Sequence, residues 1–208
     1  MTAFKTEQED FWFGEFGDKY ITRNDENKYL SSNISLFSKI LSKTKQVTSV
    51  VEFGCNIGLN LKAIDQLTNN IRLIGIEINH SAVEKLKSWK KAEVLEGSIL
   101  DYESKEKFDF CLTKGVLIHM NPEYLSKVYD KLYYFSKKYI CICEYYNPTP
   151  VSLSYRGHNE RLFKRDFASE MLDRFSDLEL VDYGFCYHRD SNYPQDDITW
   201  FLLKKHEI

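Results

Sequence analysis

The feature that most limits how this chain can fold is a regular alternation of short apolar runs with amphipathic segments. The apolar runs are rich in Val and Ile and end in polar or glycine-containing turns, which is typical of buried strands. We predict seven strands, at residues 47–53, 71–78, 92–99, 108–117, 139–146, 178–189 and 197–206. Helical spacing predicts helices at residues 27–43, 59–69, 80–91, 122–135 and 165–175. This alternation indicates an α/β fold, a Rossmann-like doubly wound sheet that is mostly parallel.

The C-terminal part of the chain departs from this alternation. No helix separates the last two predicted strands, which the turn at residues 190–197 joins, so we expect an antiparallel last strand. Residues 147–163 are predicted to form a long polar loop. No linker, repeat or low-complexity tract interrupts residues 1–208, which we predict to be one domain. Polar residues that can cap the predicted helices are Ser81, Asn121 and Asp166.

Composition excludes several classes of function. The net charge of −3 argues against a general nucleic-acid-binding protein, because such proteins use many Lys and Arg contacts to phosphate. No apolar run approaches the roughly 18 residues of a membrane span, and residues 1–10 lack the apolar segment of a signal peptide. The five cysteines include no Cys-x-x-Cys pair. We therefore expect buried, reduced thiols in preference to zinc ligands, no metal site, and a cytoplasmic location.

Glycines and polar residues follow the first three predicted strands, at the edge where doubly wound sheets bind ligands. The first strand runs into EFGCNIG (residues 52–58), in which Gly54 allows a sharp turn and Asn56 tolerates positive φ. The second strand ends near Glu77, an acid that can accept hydrogen bonds from ribose hydroxyls. The third runs into EGSILD (residues 96–101). Together these strand ends indicate a site for a nucleoside-containing cofactor.

The first of these loops departs from the glycine pattern of dinucleotide-binding proteins. Asn56 and Leu59 occupy the second and third glycine positions when the pattern begins at Gly54. Glu52 would repel a pyrophosphate so close to it, whereas it would attract an ammonium group. The charge therefore favours a nucleoside that carries an amino acid over a nicotinamide cofactor. A nicotinamide-dependent oxidoreductase remains an alternative.

Four stretches carry a resemblance to a known family: VVEFGCNIG, IGIEI, GSILD and FDFCLTKGVLIHMNP. In this order they resemble the motifs of class I S-adenosylmethionine-dependent methyltransferases, over roughly residues 45–145, and the order of the remaining elements is also similar. More narrowly, EDFWFGEFGDKYITRN and YRGHNERLFKRDFA are similar to segments of the pseudaminic acid biosynthesis-associated methylases.

The resemblance implies S-adenosylmethionine as the cofactor and assigns its contacts. Glu52 would lie beside the methionine amino group, directly or through water, and Glu77 would hold both ribose hydroxyls. Asn56 stands where the family often has glycine. The other implied contacts are Gly54, Cys55, Asn56 and Gly58 near the methionine portion, Ile78, Ser98 and Ile99 around adenine, and Lys114 and Gly115 beside the sulfonium.

The methyl acceptor would lie at the ends of the fourth and fifth strands. An acceptor that must lose a proton needs a general base, and His119 and Glu144 are the candidate catalytic residues. His119 could instead brace the following helix, and Glu144 could be a surface or loop-capping carboxylate. Arg156 is suited to a carboxylate or phosphate, and His158 is a second candidate base. The predicted acceptor contacts are Trp12, Tyr145, Tyr146, Asn147, Arg156 and His158.

Residues 1–28 contain more aromatic side chains than one helix can pack, and we predict that they form a lid over the active site. The resemblance places Tyr20 and Arg23 near the cofactor. The predicted function is methyl transfer to a small polar acceptor, such as an amino or hydroxyl group of a free or nucleotide-linked, sialic-acid-like sugar. A tRNA or protein methyltransferase, or a protein that binds the cofactor without transfer, are alternatives. No oligomeric state is indicated.

Overall fold

The computed structural model describes residues 4–21 and 26–206. Its helices are α1 (Glu7–Phe13), α2 (Glu15–Ile21), α3 (Glu26–Leu41), α4 (Leu59–Leu67), α5 (His80–Ser88), α6 (Leu125–Phe135) and α7 (Phe167–Arg174). Its strands are β1 (Ser49–Phe53), β2 (Arg72–Glu77), β3 (Glu93–Glu96), β4 (Phe108–Lys114), β5 (Ser136–Glu144), β6 (Val151–Tyr155), β7 (His158–Lys164), β8 (Leu178–Phe185) and β9 (Thr199–Lys205). Short 3-10 turns lie at Leu117–His119 and Pro122–Tyr124.

Seven strands form one sheet in the order β3-β2-β1-β4-β5-β9-β8. Strands β1 to β5 pair in parallel, and β9 pairs antiparallel with both β5 and β8. The predicted doubly wound, mostly parallel sheet with an antiparallel last strand is therefore confirmed. The strand order reverses between β1 and β4, and ligands bind at such a point beyond the carboxyl ends of the strands.

The core lies on both faces of this sheet, because successive residues of a strand point to opposite sides. On β1, Val50 packs with residues of α3, α4 and α5, whereas Val51 packs with residues of α6 and α7. The expected buried, free thiols are found at Cys55, Cys111, Cys141 and Cys143, whereas Cys186 is only half-buried. In the described parts of the chain, no helix has both the length and the apolar character needed to cross a membrane.

The predicted loop at 147–163 is wrong, because most of it forms a β-hairpin. Strands β6 and β7 pair antiparallel, with Tyr155 opposite His158. The two residues between them, Arg156 and Gly157, both have positive φ (51° and 85°), which is the backbone of a type I′ hairpin turn. The strands escaped prediction because β6 is largely exposed and Arg-Gly is a weaker turn signal than Asn-Gly or Asp-Gly.

Two of the three predicted helix caps also need correction. Asn79, rather than Ser81, caps α5, since its side chain accepts a hydrogen bond from the Ala82 amide at 2.9 Å. Asn121 caps the 3-10 turn that precedes α6 rather than the helix itself. Asp166 caps α7 as predicted. The correction at Asn79 matters for function, because this residue also holds the N-terminal helices.

Helices α1 and α2 pack against the carboxyl edge of the sheet at the start of α5. The Asn79 side-chain amide donates to the carbonyls of Trp12 (3.3 Å) and Phe13 (3.4 Å) and to the Asp18 carboxylate (3.1 Å). A Cβ atom at Gly17 would lie 1.9 Å from the Trp12 carbonyl and 2.8 Å from the Asn79 side chain. Glycine is therefore needed for this close approach, which brings the aromatic N-terminal segment over the strand ends.

Candidate active site

A cavity of about 390 Å³ opens at the carboxyl ends of the parallel strands, within the size range of small-molecule sites. The predicted residues that line it are Trp12, Tyr20, Gly54, Cys55, Asn56, Glu77, Ile78, Ser98, Ile99, Lys114, Gly115, His119, Tyr145 and Arg156. The predicted residues that do not line it are Glu52, Gly58, Glu144, Tyr146, Asn147 and His158. Arg23 lies outside the described residues.

The loop after β1 turns with the backbone geometry that its sequence suggested. Gly54 has a φ of 73°, and a Cβ atom there would lie 2.6 Å from the Val116 side chain. Asn56 has a φ of 48° without being glycine, and its side-chain oxygen accepts a hydrogen bond from the Ile57 amide at 2.7 Å. Gly58 begins α4 with a φ of 78° beneath the cavity rather than in its wall. Asn56 therefore adopts the positive φ that an asparagine tolerates.

Glu77 ends β2 with its carboxylate fixed by the backbone of its neighbours. One oxygen accepts from the Asn56 amide at 2.7 Å and the other from the Asn79 amide at 2.8 Å. Burial raises the pKa of Glu77, and these backbone donors oppose that rise. Each carboxylate oxygen has a further lone pair, and the side chain lines the cavity. The group is therefore oriented to accept hydroxyl hydrogen bonds from a ligand.

Glu52 is completely buried, and Asn60 lies between it and the cavity. The Asn60 side-chain amide donates to Oε1 of Glu52 at 2.5 Å, and Asn60 itself lines the cavity. Burial raises the pKa of Glu52 to about 8, against the opposing effects of Asn60 and of the Lys114 charge. Within the described structure, Glu52 Oε2 and Asn60 Oδ1 are buried without a hydrogen-bond partner. Buried acceptors of this kind favour a ligand that brings donors.

The wall beside β3 combines apolar and polar groups. Ile78 and Ile99 present apolar surface to the cavity. The Ser98 hydroxyl donates to the Glu9 carboxylate and accepts from the Leu100 amide at 3.0 Å. Glu9 belongs to α1 and also lines the cavity, so the N-terminal helix completes this wall.

His119 is held between two aromatic rings at the opposite part of the cavity. Its ring centroid lies 4.8 Å from those of Trp12 and Tyr155. Nδ1 lies 2.6 Å from the Arg161 carbonyl oxygen, which can only accept, so Nδ1 carries the proton and Nε2 is left as an acceptor. Burial lowers the pKa of His119 to about 4. The ring is therefore neutral near physiological pH.

The carboxylate of Glu144, predicted to contact the acceptor, instead binds backbone amides. This buried carboxylate accepts hydrogen bonds from the amides of Val116 (3.0 Å), Leu117 (3.0 Å) and Ile118 (3.4 Å). The side chain satisfies the backbone of the turn after β4, and it does not line the cavity. Burial raises the pKa of Glu144 to about 7 against these donors. Glu144 thus positions the segment that carries His119.

Three further residues that were predicted to contact the acceptor do not line the cavity. Tyr146 is 42% exposed, because it follows Tyr145 in an extended segment and the two side chains point to opposite sides. The Asn147 side chain donates to the Thr149 carbonyl at 2.5 Å. His158 packs on the far side of α1, with its ring 5.0 Å from that of Phe11. The other three predicted acceptor contacts, Trp12, Tyr145 and Arg156, line the cavity.

The acceptor part of the cavity also contains residues that the sequence did not single out. Gln195 is buried and donates to the Asn33 side chain at 3.0 Å. Asp196 follows it, and its charge raises the pKa of Tyr145, although burial is the main cause of that rise. The polar and aromatic lining residues that the sequence did not predict, around the whole cavity, are Gln8, Glu9, Tyr29, Asn33, Asn60, Asn79, Tyr155, Gln195 and Asp196. Of these, Asn60 could have been predicted from its position, because it lies two residues after the EFGCNIG motif.

Residues 50–138 match the model of a methyltransferase domain, and solved structures extend the likeness to almost the whole chain. The plantazolicin methyltransferase BpumL in complex with S-adenosylhomocysteine matches with a TM-score of 0.67 and 14% identity, over 96% of this chain and 94% of that one. The 1,6-didemethyltoxoflavin-N1-methyltransferase of Burkholderia thailandensis matches with a TM-score of 0.69 and 12% identity, over 96% and 87%. The chain has the class I methyltransferase fold.

A third methyltransferase of the same fold is the magnesium protoporphyrin IX methyltransferase of Synechocystis PCC 6803 with bound S-adenosylmethionine. It matches with a TM-score of 0.67 and 11% identity, over 99% of this chain and all of that one (100%). No curated protein matches the sequence. These three methyltransferases are named for different substrates, so the methyltransferase fold by itself does not identify an acceptor.

The cavity of this methyltransferase fold has the features that S-adenosylmethionine requires. Glu77 presents a fixed carboxylate for hydroxyl groups. Asn60 and Glu52 offer buried acceptors without partners for an ammonium group. Ile78 and Ile99 offer apolar surface for a purine. The residues therefore fit the cofactor, although Glu52 would act on the amino group from behind Asn60.

Proposed function

We propose that this protein transfers a methyl group from S-adenosylmethionine to an amino or hydroxyl group of a small polar acceptor. The observation that carries the proposal is the neutral His119 ring, which lies in the same cavity as the cofactor-fitting residues and is held between Trp12 and Tyr155. A sugar related to the sialic acids, free or nucleotide-linked, is our first choice of acceptor.

At the cofactor end of the cavity, the side chains bind and orient the cofactor. S-adenosylmethionine, when bound, provides a methyl group on a sulfonium leaving group that needs no further activation. Glu77 accepts hydrogen bonds from the ribose hydroxyls, and the acceptors of Asn60 and Glu52 attract the amino group. Gly54 lets the loop after β1 pack closely on Val116, because a side chain there would collide with that residue. Positioning of this kind supplies much of the rate in a displacement reaction.

At the acceptor end, His119 orients the nucleophile. Its Nε2 accepts a hydrogen bond from an O–H or N–H group, and the Nδ1 hydrogen bond to the Arg161 carbonyl fixes the ring. Because the pKa of His119 is lowered to about 4, Nε2 is available at neutral pH without losing a proton first. A hydroxyl acceptor would be held by this hydrogen bond with an oxygen lone pair free for attack, and an amine with its nitrogen lone pair free.

A sugar suits the remaining acceptor surface. The rings of Trp12, Tyr145 and Tyr155 can pack on the C–H faces of a sugar, and the amide and carboxylate of Gln195 and Asp196 can bind its hydroxyls. Arg156, which lies at the tip of the hairpin 5.4 Å above the Tyr155 ring, suits an acceptor carboxylate or phosphate. These groups support a polar, acidic acceptor.

The N-terminal segment would act as a lid. Helices α1 and α2 contribute Trp12, Gly17 and Tyr20 to the cavity wall. They are attached through hydrogen bonds to Asn79 and through an ion pair of 3.0 Å between Glu7 and Arg161 of the hairpin. A lid made of these helices would exclude water from the reacting atoms.

Calorimetric titration followed by a product assay tests the proposal. We expect S-adenosylhomocysteine to bind and NADH not to bind. Mass spectrometry of mixtures with S-adenosylmethionine and a panel of sialic-acid-like sugars, nucleotide sugars, tRNA and protein should show one added methyl group on a sugar. Binding of NADH alone would indicate an oxidoreductase. Cofactor binding without any methylated product would indicate a binding protein.

A further inference from the structure

A buried acid of the N-terminal helix α1 reaches the cofactor end of the cavity. Glu9 is only 6% exposed and lines the cavity, together with Ser98 and Ile99. It is the third residue of α1, where an acid commonly completes a capping box with the residue before the helix, here Thr6. That capping role explains why an acid stands here, but it does not explain why both oxygens are buried at the cavity.

The two carboxylate oxygens of Glu9 have different partners. Oε2 accepts from the amides of Lys5 and Thr6, both at 2.9 Å, and from the Thr6 hydroxyl at 3.2 Å. Oε1 accepts from the Ser98 hydroxyl. One oxygen is thus enough to cap the helix, and the other is directed at the segment that follows β3.

Ser98 has no hydrogen left to donate to a ligand. Its single hydroxyl hydrogen is donated to Glu9, and its oxygen already accepts from the Leu100 amide. Oε1 of Glu9 has a further lone pair. The carboxylate of α1 is therefore the stronger acceptor at this wall, and it would replace Ser98 in the contact to adenine that the family resemblance implies.

This wall lies directly beside Glu77, as the base of a nucleoside lies beside its ribose. β2 and β3 pair in parallel, with Glu77 opposite Glu96, and the Gly97 amide donates to the Glu77 carbonyl at 2.8 Å. The residues after β3 therefore lie one strand spacing, about 4.8 Å, from the end of β2. A purine on a ribose held by Glu77 would lie between Ile78 and Ile99 with its polar edge towards Glu9.

We propose that Glu9 recognises the 6-amino group of the cofactor's adenine, so that α1 distinguishes adenine from 6-oxo purines. This rests on the proposed function, because it takes the cofactor to be S-adenosylmethionine. A carboxylate accepts from an amino group, whereas a 6-oxo group would place two acceptors against each other. The base contact would also tie cofactor binding to the docking of α1.

The test compares two ligands on three proteins by calorimetry: S-adenosylhomocysteine and its 6-oxo analogue, S-inosylhomocysteine, with wild type, Glu9→Gln and Thr6→Ala. Wild type should prefer the adenine ligand by about tenfold or more, since hydrogen bonds to charged groups are strong. Glu9→Gln can still cap α1 through its carbonyl oxygen, but it turns an NH₂ group towards the base. Its preference should fall to about one or reverse.

Thr6→Ala is the matched control for the order of α1. It removes the capping hydroxyl and leaves the Glu9 carboxylate in place, so both ligands should weaken by the same factor and the preference should stay at the wild-type value. An unchanged preference in Glu9→Gln, or an equal loss of both ligands there, would overturn the proposal and leave Glu9 as a helix cap. If wild type binds neither ligand, the proposed function itself fails, and this proposal fails with it.

Discussion

The cofactor end and the acceptor end of the cavity are built in different ways. Apart from Glu9, most groups at the cofactor end follow successive strands of the sheet, between residues 52 and 115, and the pairing of β1, β2 and β3 fixes their relative positions. The acceptor end combines His119 and Tyr145, which follow β4 and β5, with α1, α3, the β6–β7 hairpin and residues 195–198, which are far apart in the chain. One end is set by strand register, and the other depends on how separate elements dock.

This difference explains why one fold can serve many acceptors. Sheet register changes little when surface segments change, so the cofactor end is a stable platform. Hairpins, loops and terminal helices tolerate variation and carry specificity. Residues such as Arg156 and Asp196, which are exposed at the rim of the cavity, are accordingly where we expect the choice of acceptor to be made.

The largest effect should come from His119, the buried centre of the acceptor end. We expect His119→Ala to lower kcat by about a hundredfold or more, as is usual for loss of a group that handles the acceptor proton. The affinity for S-adenosylhomocysteine, measured by calorimetry, should stay unchanged, because His119 does not belong to the cofactor end.

His158→Ala is the control for this change. His158 is a second histidine in the same region, yet it packs against Phe11 and lies outside the main cavity. Its replacement should leave kcat within about twofold. Equal losses of kcat in the two variants, or a loss of cofactor affinity in His119→Ala, would show that the two ends of the cavity are not separate.

At the cofactor end, we expect Glu77→Ala to weaken binding of S-adenosylhomocysteine by about tenfold to a hundredfold, since hydrogen bonds to a charged group contribute about 1.5–3 kcal/mol. Glu96→Ala is the matched control, because Glu96 lies opposite Glu77 in the neighbouring strand and does not line the cavity. Glu77→Gln keeps one acceptor for the Asn56 and Asn79 amides, so it separates ligand contact from loop order. Unchanged affinity in Glu77→Ala would remove this residue from the site.

A pH dependence should distinguish Glu52 from the acids around it. Its pKa of about 8 means that this carboxyl is largely protonated at neutral pH in the free protein. An ammonium group nearby favours the ionised form, so binding of S-adenosylhomocysteine should release protons below pH 8, and its affinity should rise several-fold between about pH 6 and pH 8. Glu52→Gln should abolish both effects. Proton release that persists in Glu52→Gln would assign them to another group.

Features within single segments could be predicted from the sequence, whereas contacts between separate elements could not. The seven strands, Glu77 and the positive φ of Asn56 follow from patterns within single segments, and the structure contains all of them. Glu9 and Glu144 do not follow, because their partners lie in other elements: Ser98 for the first and the turn at 116–118 for the second. The sequence shows the chemical type of each side chain, but the buried donors that it contacts depend on how separate elements pack together.

At the rim of the acceptor end, a smaller effect is expected from Arg156. Replacing it with alanine should raise the acceptor KM about threefold to tenfold and leave cofactor affinity alone, because an exposed charge pair is screened by solvent. Arg156→Lys should raise the acceptor KM by less than Arg156→Ala does, since lysine keeps the charge but lacks the planar fork. Arg174→Ala, which removes an arginine that pairs with Asp130 away from the cavity, is the control. Parallel losses of KM and cofactor affinity in Arg156→Ala would make the hairpin a structural element of the whole cavity.

The smallest effect should come from two residues that the sequence placed at the acceptor. Tyr146 and Asn147 do not line the cavity, so Tyr146→Phe and Asn147→Ala should change the acceptor KM by less than about twofold. Tyr145→Phe, one residue earlier, removes a hydroxyl that faces the cavity and should raise KM measurably. The three variants change neighbouring residues of one segment, so steady-state kinetics with the same acceptor compares them directly. If Tyr146 mattered more than Tyr145, this segment would have to turn over when the acceptor binds, and the acceptor end would be assembled by its ligand rather than by docking alone.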